Sequence, residues 1–210
     1  ALRDCRGKYL AFLEGDDFWR DRAKLSMQLD YLERNPADAL CFHRFEYVDE
    51  AGEPAGGLKK EFKSLSGRDL VRGAFVHLNT VMCRNVISDI EPEAVHVVQG
   101  DQFISARLGC SGSGGYLPEV GPSAYRLHSG GVWSASTSSR KAVRWLETMF
   151  WISEYMRRVG RTADADFYNH KACQFLLSRN SVSPSFRTAA WSLISPLLGA
   201  WRAWRRPKDV

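Results

Sequence analysis

Tyr9-Leu10-Ala11-Phe12-Leu13 is a short apolar run ended by Glu14-Gly15-Asp16-Asp17. A run of that length before an acidic turn predicts a buried strand that delivers carboxylates to its carboxyl end. That is the edge where open α/β sheets bind ligands. Leu25, Leu29 and Leu32 then recur at helical spacing within residues 23–34, and Asn35-Pro36 stops the pattern, so an amphipathic helix follows. Residues 39–48 are β-prone and partly alternating, and predict a second strand. Residues 51–63 hold Gly52, Pro54, Gly56, Gly57 and three lysines without a hydrophobic period, and read as an exposed excursion.

A short helix over 67–72 and a strand over 80–84 are expected next. Gly100-Asp101 opens a helix over 102–108, with Asp101 placed as its N-cap. The Gly-Ser-Gly-Gly at 112–115 reads as a turn into 116–120, and 124–128 as a further strand. After a Ser-rich hinge at 134–139 the pattern is helical: Val143, Leu146, Met149 and Phe150 share a face, and a second helix covers 163–177. Strands alternating with helices, without an internal repeat, predict an α/β fold. In residues 186–204, Trp191, Ile194, Leu198 and Trp201 fall on one side, and Arg202, Arg205, Arg206 and Lys208 gather at the end. This pattern suits a membrane interface with anionic lipid. Packing on the body is the other reading, and Pro196 breaks such a helix into two.

The 210 residues are 44% hydrophobic and 25% charged, the balance of a globular protein rather than a disordered one. No apolar run reaches the roughly 20 residues of a membrane span. Five cysteines, odd in number and without a C-x-x-C pair, argue against a disulfide framework or a zinc knuckle and fit a reducing compartment. The formal charge of +5 is unevenly spread: residues 1–166 carry 22 Lys+Arg against 23 Asp+Glu, residues 167–210 carry 7 against 1. A neutral body speaks against a nucleic-acid partner, which normally meets positive charge on the folded face. Stacking of Trp191, Trp201 and Trp204 on bases is the weaker reading of the tail.

Three carboxylates within four positions repel one another unless a cation or ligand neutralises them. Hard divalent ions such as Mg²⁺ or Mn²⁺ suit such oxygen donors, usually together with substrate phosphates. The plainer reading is an exposed acidic turn capping the next helix.

Arg6-Gly7-Lys8-Tyr9-Leu10-Ala11-Phe12-Leu13-Glu14-Gly15-Asp16-Asp17-Phe18-Trp19, with Lys24-Leu25, Gln28, Leu32-Glu33 and Asn35-Pro36, resembles the middle of the family 2 glycosyltransferases. Two further motifs follow in the family's order: Gly100-Asp101, similar to the acidic motif that opens the acceptor-site helix, and Tyr125-Arg126-Leu127-His128-Ser129-Gly130-Gly131, similar to "YR-x-H-SGG".

The resemblance implies the GT-A fold, a three-layer α/β sandwich of Rossmann-related type lacking its first strands and followed by a C-terminal helical extension. Residues 1–134 would be the rear part of the catalytic domain, 135–180 the extension and 181–210 the basic, Trp-rich tail. Since the family's base- and ribose-holding strands precede the matched segment, this chain alone is expected to bind a donor weakly.

Residue by residue, the resemblance places Asp16 and Asp17 on the metal, Mg²⁺ or Mn²⁺, with His128 completing its shell or touching the diphosphate. Glu14 stands where Asp is usual and would touch the diphosphate-bound site directly or through water. Arg126 would pair with phosphate through its planar fork, and Trp19 is either a sugar-stacking platform or core. Asp101 matches the catalytic base, against the plainer reading of a helix cap. The implied reaction is inverting transfer from a nucleotide-sugar donor to a glycan or lipid-linked acceptor, as in bacterial polysaccharide or glycolipid synthesis. The expected location is cytoplasmic, peripheral at the inner face of the plasma membrane through residues 186–208. A non-catalytic scaffold that keeps the fold is the alternative. Hydrolase or phosphatase chemistry would not explain the second and third motifs.

Overall fold

The computed structural model describes residues 2–56, 61–87, 91–128 and 137–178; the amphipathic tail and the Ser129-Gly130-Gly131 end of the third motif lie outside them. Strands β1 (Tyr9–Ala11), β2 (Phe18–Trp19), β3 (Asp38–Phe42), β4 (Phe45–Val48), β5 (Met82–Arg84), β6 (Ser113–Tyr116) and β7 (Ser123–Arg126) alternate with helices α1 (Lys24–Arg34), α2 (Gly67–Val71), α3 (Gly100–Gly109), α4 (Ser138–Arg158) and α5 (Thr162–Ser178). One mixed sheet has the order β1-β5-β3-β6 and a second the order β2-β7-β4. Among the described residues only the β3–β6 and β4–β7 pairs are parallel.

Both faces of β3 are covered. Leu40 and Phe42 pack with Leu70 of α2 and Leu108 of α3, whereas Cys41 packs with Leu32 of α1 and Met82. A strand buried on both faces reads as an unbroken apolar run, and the sheet is a middle layer between α1 and the α2–α3 pair. This is the α/β layering expected of a GT-A-like fold.

The chain passes from the first sheet to the second three times: between β1 and β2, between β3 and β4, and between β6 and β7. The strand predicted over 39–48 is therefore two strands, broken at His43-Arg44. There the buried His43 ring meets Ser123 Oγ at 3.3 Å, and Leu117 N reaches back to Phe42 O. The acidic turn 14–17 is the first of these crossings. It is not preceded by a buried strand: β1 is an edge strand in which Leu10 alone is buried.

Three further expectations are corrected. The inward face of α1 is Lys24, Gln28 and Leu32, while Leu25 and Leu29 are 42% and 40% exposed. Apolar spacing misreads this helix because its buried polar pair is satisfied: Lys24 Nζ donates to Gln28 Oε1 at 2.7 Å, and Gln28 Nε2 donates to the carbonyl of Thr80 at 2.8 Å. Glycines 114 and 115 form strand β6 rather than a turn, because a Cβ at Gly115 would stand 2.0 Å from Tyr31 Oη. The end of the excursion at 51–63 is partly covered, with Phe62 stacked on Tyr116 at 5.7 Å.

Helices α4 and α5 share a core with the body: Met149, Ile152, Tyr155 and Met156 of α4 pack with Val71, Phe103 and Tyr168. Tyr168 Oη donates to the Val71 carbonyl at 2.6 Å. Among the described residues no helix is long and apolar enough to cross a membrane.

Candidate active site

The acidic turn is closed by Asp17 N donating to the Glu14 carbonyl at 3.2 Å, which crowds its three carboxylates. Asp17 is buried and held on both oxygens: Asn79 Nδ2 donates to Oδ2 at 2.7 Å, and the backbone N–H of Arg126 donates to Oδ1 at 3.0 Å. Two donors on one carboxylate fix its direction and leave further lone pairs for a ligand. Asp16 is exposed and meets His128 Nε2 at 2.9 Å, a contact that draws its carboxyl below the usual range. Glu14 is exposed as a residue, yet partial desolvation of its carboxyl, with Asp17, Asp16 and Asp101 nearby, pushes it up to about 7.

Arg126 clamps the turn rather than presenting an open fork. Its Nε donates to the Asp16 carbonyl at 2.9 Å, and its Nη1 donates to the carbonyls of Asp49 and Glu50. Trp19 is likewise engaged in structure. Its indole N–H donates to the Asn79 carbonyl at 2.8 Å, and the Lys24 ammonium lies 4.1 Å from the ring centre. Of the two readings of Trp19, these contacts match the packed one.

Asp101 lies inside the first turn of α3 rather than at its cap, since the helix begins at Gly100 behind Gln99. Its Oδ1 accepts from the Gln102 N–H at 2.8 Å. Burial raises the carboxyl's affinity for protons, and the Gln102 N–H and His77 oppose the rise. Asp101 bears electrostatically on both Glu14 and His77, although 87 positions separate Glu14 from Asp101.

His77 links the two sides. One potential ligand atom each from Glu14, Asp17 and His77 lie within 4.8 Å of one another, a spacing and donor set that fit a divalent cation. The His77 imidazole is held toward its neutral, ligating form by burial, against the opposing pull of Asp17, Asp101 and Asn79. The residues expected on the metal therefore separate: Asp17 joins Glu14 and His77, whereas Asp16 and His128 pair with each other. His77 and Asn79 were not singled out by the sequence. The signal available was weak, a His and an Asn two positions apart just before a strand.

Residues 1–87 match the model of Glycosyl transferase family 2. The chain is also similar to uncharacterized protein Rv1520 of Mycobacterium tuberculosis (strain ATCC 25618 / H37Rv) and uncharacterized protein Mb1547 of Mycobacterium bovis (strain ATCC BAA-935 / AF2122/97). Each is 36% identical over 147 residues, which is 67% of this chain and 41% of the relative. The chain thus spans about two fifths of the length of these relatives. The matched segment contains the acidic turn, His77 and Asn79, while Asp101 and Arg126 lie outside it. The N-terminal part of this chain, residues 1–87, belongs to glycosyl transferase family 2.

Proposed function

We propose that the protein is an inverting, metal-assisted glycosyltransferase that moves a sugar from a nucleoside-diphosphate donor to a hydroxyl acceptor. The observation that supports this reading is the grouping of Glu14, Asp17 and His77 within reach of one cation, inside the segment that matches the family model. Glu14, Asp17 and His77 would hold the cation, and their mixed carboxylate and imidazole donors favour Mn²⁺ over Mg²⁺. When bound, the metal offsets negative charge on the departing diphosphate. Exposed Asp16 and its partner His128 would meet the donor or complete the shell.

Asp101 is the base of this reading. Its carboxylate takes the proton of the attacking hydroxyl as the bond to the anomeric carbon forms. Burial makes it more basic than an exposed aspartate, and position at a helix start keeps it ionised at neutral pH. Asn79 and the Arg126 backbone keep Asp17 aimed, and the Arg126 side chain holds the turn. A polysaccharide or glycolipid product follows from the family resemblance, and recruitment to an anionic membrane from the net positive, Trp-rich segment 186–208. Flotation with anionic vesicles, with and without residues 186–210, checks the second point.

The test of function is a donor screen with the full gene product. It would use UDP-, GDP- and dTDP-sugars with Mn²⁺ and read the anomeric configuration of the product. Metal-dependent transfer with inversion is the expected result, and transfer with retention contradicts the reading. A scaffold role would show as no transfer from any donor.

A further inference from the structure

Helix α3 does not close its own first turn. Its N-cap residue, Gln99, makes no side-chain cap hydrogen bond. In a capping box the third helical residue reaches back to the N-cap N–H, as in α2, where Ser66 N donates to Asp69 Oδ2 at 3.0 Å. Gln102 holds that third position in α3 and is of the right type, yet its Oε1 is buried without a hydrogen-bond partner among the described residues. Gly100 between them brings no side chain, and a Cβ there would meet nothing within 4 Å.

The missing acceptor comes from another helix. Gln99 N donates to Thr148 Oγ1 of α4 at 3.2 Å, across 49 positions. Thr148 is fully buried, and its hydroxyl proton is committed to the Arg144 carbonyl at 2.8 Å, so its oxygen faces Gln99 as an acceptor. The stretch that leads into α3 meets α4 again at Arg158. There Nε donates to Glu93 Oε1 at 2.7 Å, and Nη2 donates to Glu91 Oε2 at 2.6 Å. Ala94 and Val97 pack against the cluster that holds Met149 and Ile152 of α4.

We propose that Thr148 is a positioning residue for Asp101: by accepting the Gln99 N–H it fixes where α3 begins, and with it the direction of the carboxylate two residues on. A helix end frays unless its first N–H groups find partners. Within the turn itself the bond from Phe103 N to the Gln99 carbonyl is long, at 3.4 Å. A positioned base loses rate steeply when displaced, about 10²-fold for 1 Å. Helix α4, which lies outside the segment matched to the family, thus contributes to the geometry of the site.

The inference rests on the glycosyltransferase reading for the role of Asp101, so its experiment has one arm that needs no sugar transfer. Amide hydrogen exchange, read residue by residue by NMR, would compare the unaltered protein with two variants. Thr148→Val keeps the shape and removes the acceptor, and Thr148→Ser keeps the hydroxyl. The Gln99 amide is expected to be protected in the unaltered protein. In Thr148→Val the amides of Gln99, Gly100 and Asp101 should exchange roughly five- to tenfold faster while those of α1 are unchanged, and Thr148→Ser should restore protection. The second arm measures sugar transfer by the same three proteins with Mn²⁺ and the donor identified by screening. Thr148→Val is expected to lower kcat roughly 10- to 100-fold with Mn²⁺ affinity and donor KM retained, and Thr148→Ser to recover most of the loss.

An unprotected Gln99 amide in the unaltered protein would overturn the proposal without any variant having to fold. Equal exchange in Thr148→Val, a uniform rise across α1 and α3 together, or transfer by Thr148→Val at the unaltered rate would each overturn it as well. If Thr148 protects Gln99 in a protein that transfers no sugar, the enzyme reading falls and the hold on the start of α3 stands.

Discussion

Asn79 and Asp17 are 62 positions apart in sequence, yet the Asn79 amide donates to the Asp17 carboxylate at 2.7 Å in a buried contact. Asn79 is itself held, since its carbonyl accepts from the Trp19 indole at 2.8 Å and from Ser123 Oγ at 3.0 Å. The 3-10 turn at Leu78–Thr80, strand β2 and strand β7 thereby set the direction of one carboxylate. Groups that orient a metal ligand are commonly worth 10- to 100-fold in affinity.

Asn79→Ala is therefore expected to weaken Mn²⁺ binding by roughly 10- to 100-fold, and to destabilise the fold by about 1.5–3 kcal/mol through loss of a hydrogen bond to a charged group. Asn79→Leu, of similar size but unable to donate, should weaken Mn²⁺ binding to a similar degree. Isothermal titration with Mn²⁺, together with urea unfolding, measures both quantities. Unaltered Mn²⁺ affinity in both variants would show that Asn79 does not position Asp17 for a cation.

Lys24 gives the protein a pH signature. It is 1% exposed with no carboxylate partner among the described residues, and burial lowers its ammonium to about 8 from an ordinary 10.5. Between those values the unfolded chain holds the proton and the folded chain has released it, so the unfolded state binds more protons and stability rises with pH. The penalty is fully present below about pH 8 and relieved as pH approaches 10.5. Its size is on the order of 1–3 kcal/mol from the shift. Lys24→Met should remove that slope and raise stability near neutral pH, since an apolar side chain of similar volume replaces a buried charge. Urea midpoints of both proteins from pH 7 to about 10.5 test this, and parallel curves would refute it.

Gly115 sits where β6 meets α1. An added Cβ would lie 2.0 Å from Tyr31 Oη and 2.2 Å from Cζ, so Gly115→Ala must push the Tyr31 ring away. Tyr31 donates to Asp38 Oδ2 at 2.7 Å, a contact that displacement breaks. A loss of about 1–3 kcal/mol is expected from overpacking. Thermal unfolding should show a midpoint lower by several degrees, and an unchanged midpoint would mean that Tyr31 yields without strain.

The sequence made the α/β alternation legible, and with it the acidic turn at the end of the first strand, because apolar runs and Gly/Pro/Asn stops reflect local physics. It misled where tertiary contacts override local pattern. Gly114 and Gly115 resemble turn residues, but they are small because Leu40 and Tyr31 press on the strand. Leu25 and Leu29 resemble a core face, but Lys24 and Gln28 point inward with their polar groups satisfied. At the site, clustered carboxylates stand out in a sequence. The partners supplied by distant segments do not, so His77 and Asn79 carried no local sign of their place. Arg126 resembled a phosphate ligand by type, whereas its contacts with the carbonyls of Asp16, Asp49 and Glu50 depend on where the loop after β4 returns.

Asp101 is the position at which the account is most exposed, since sugar transfer as described needs its carboxylate opposite Glu14, Asp17 and His77. The decisive measurement compares sugar transfer by the full gene product with that of Asp101→Asn under saturating Mn²⁺ and donor. Loss of roughly 10²- to 10⁴-fold in kcat is expected, the usual contribution of a positioned base, with Mn²⁺ affinity and unfolding midpoint essentially retained. Transfer by Asp101→Asn at the rate of the unaltered protein would contradict the account.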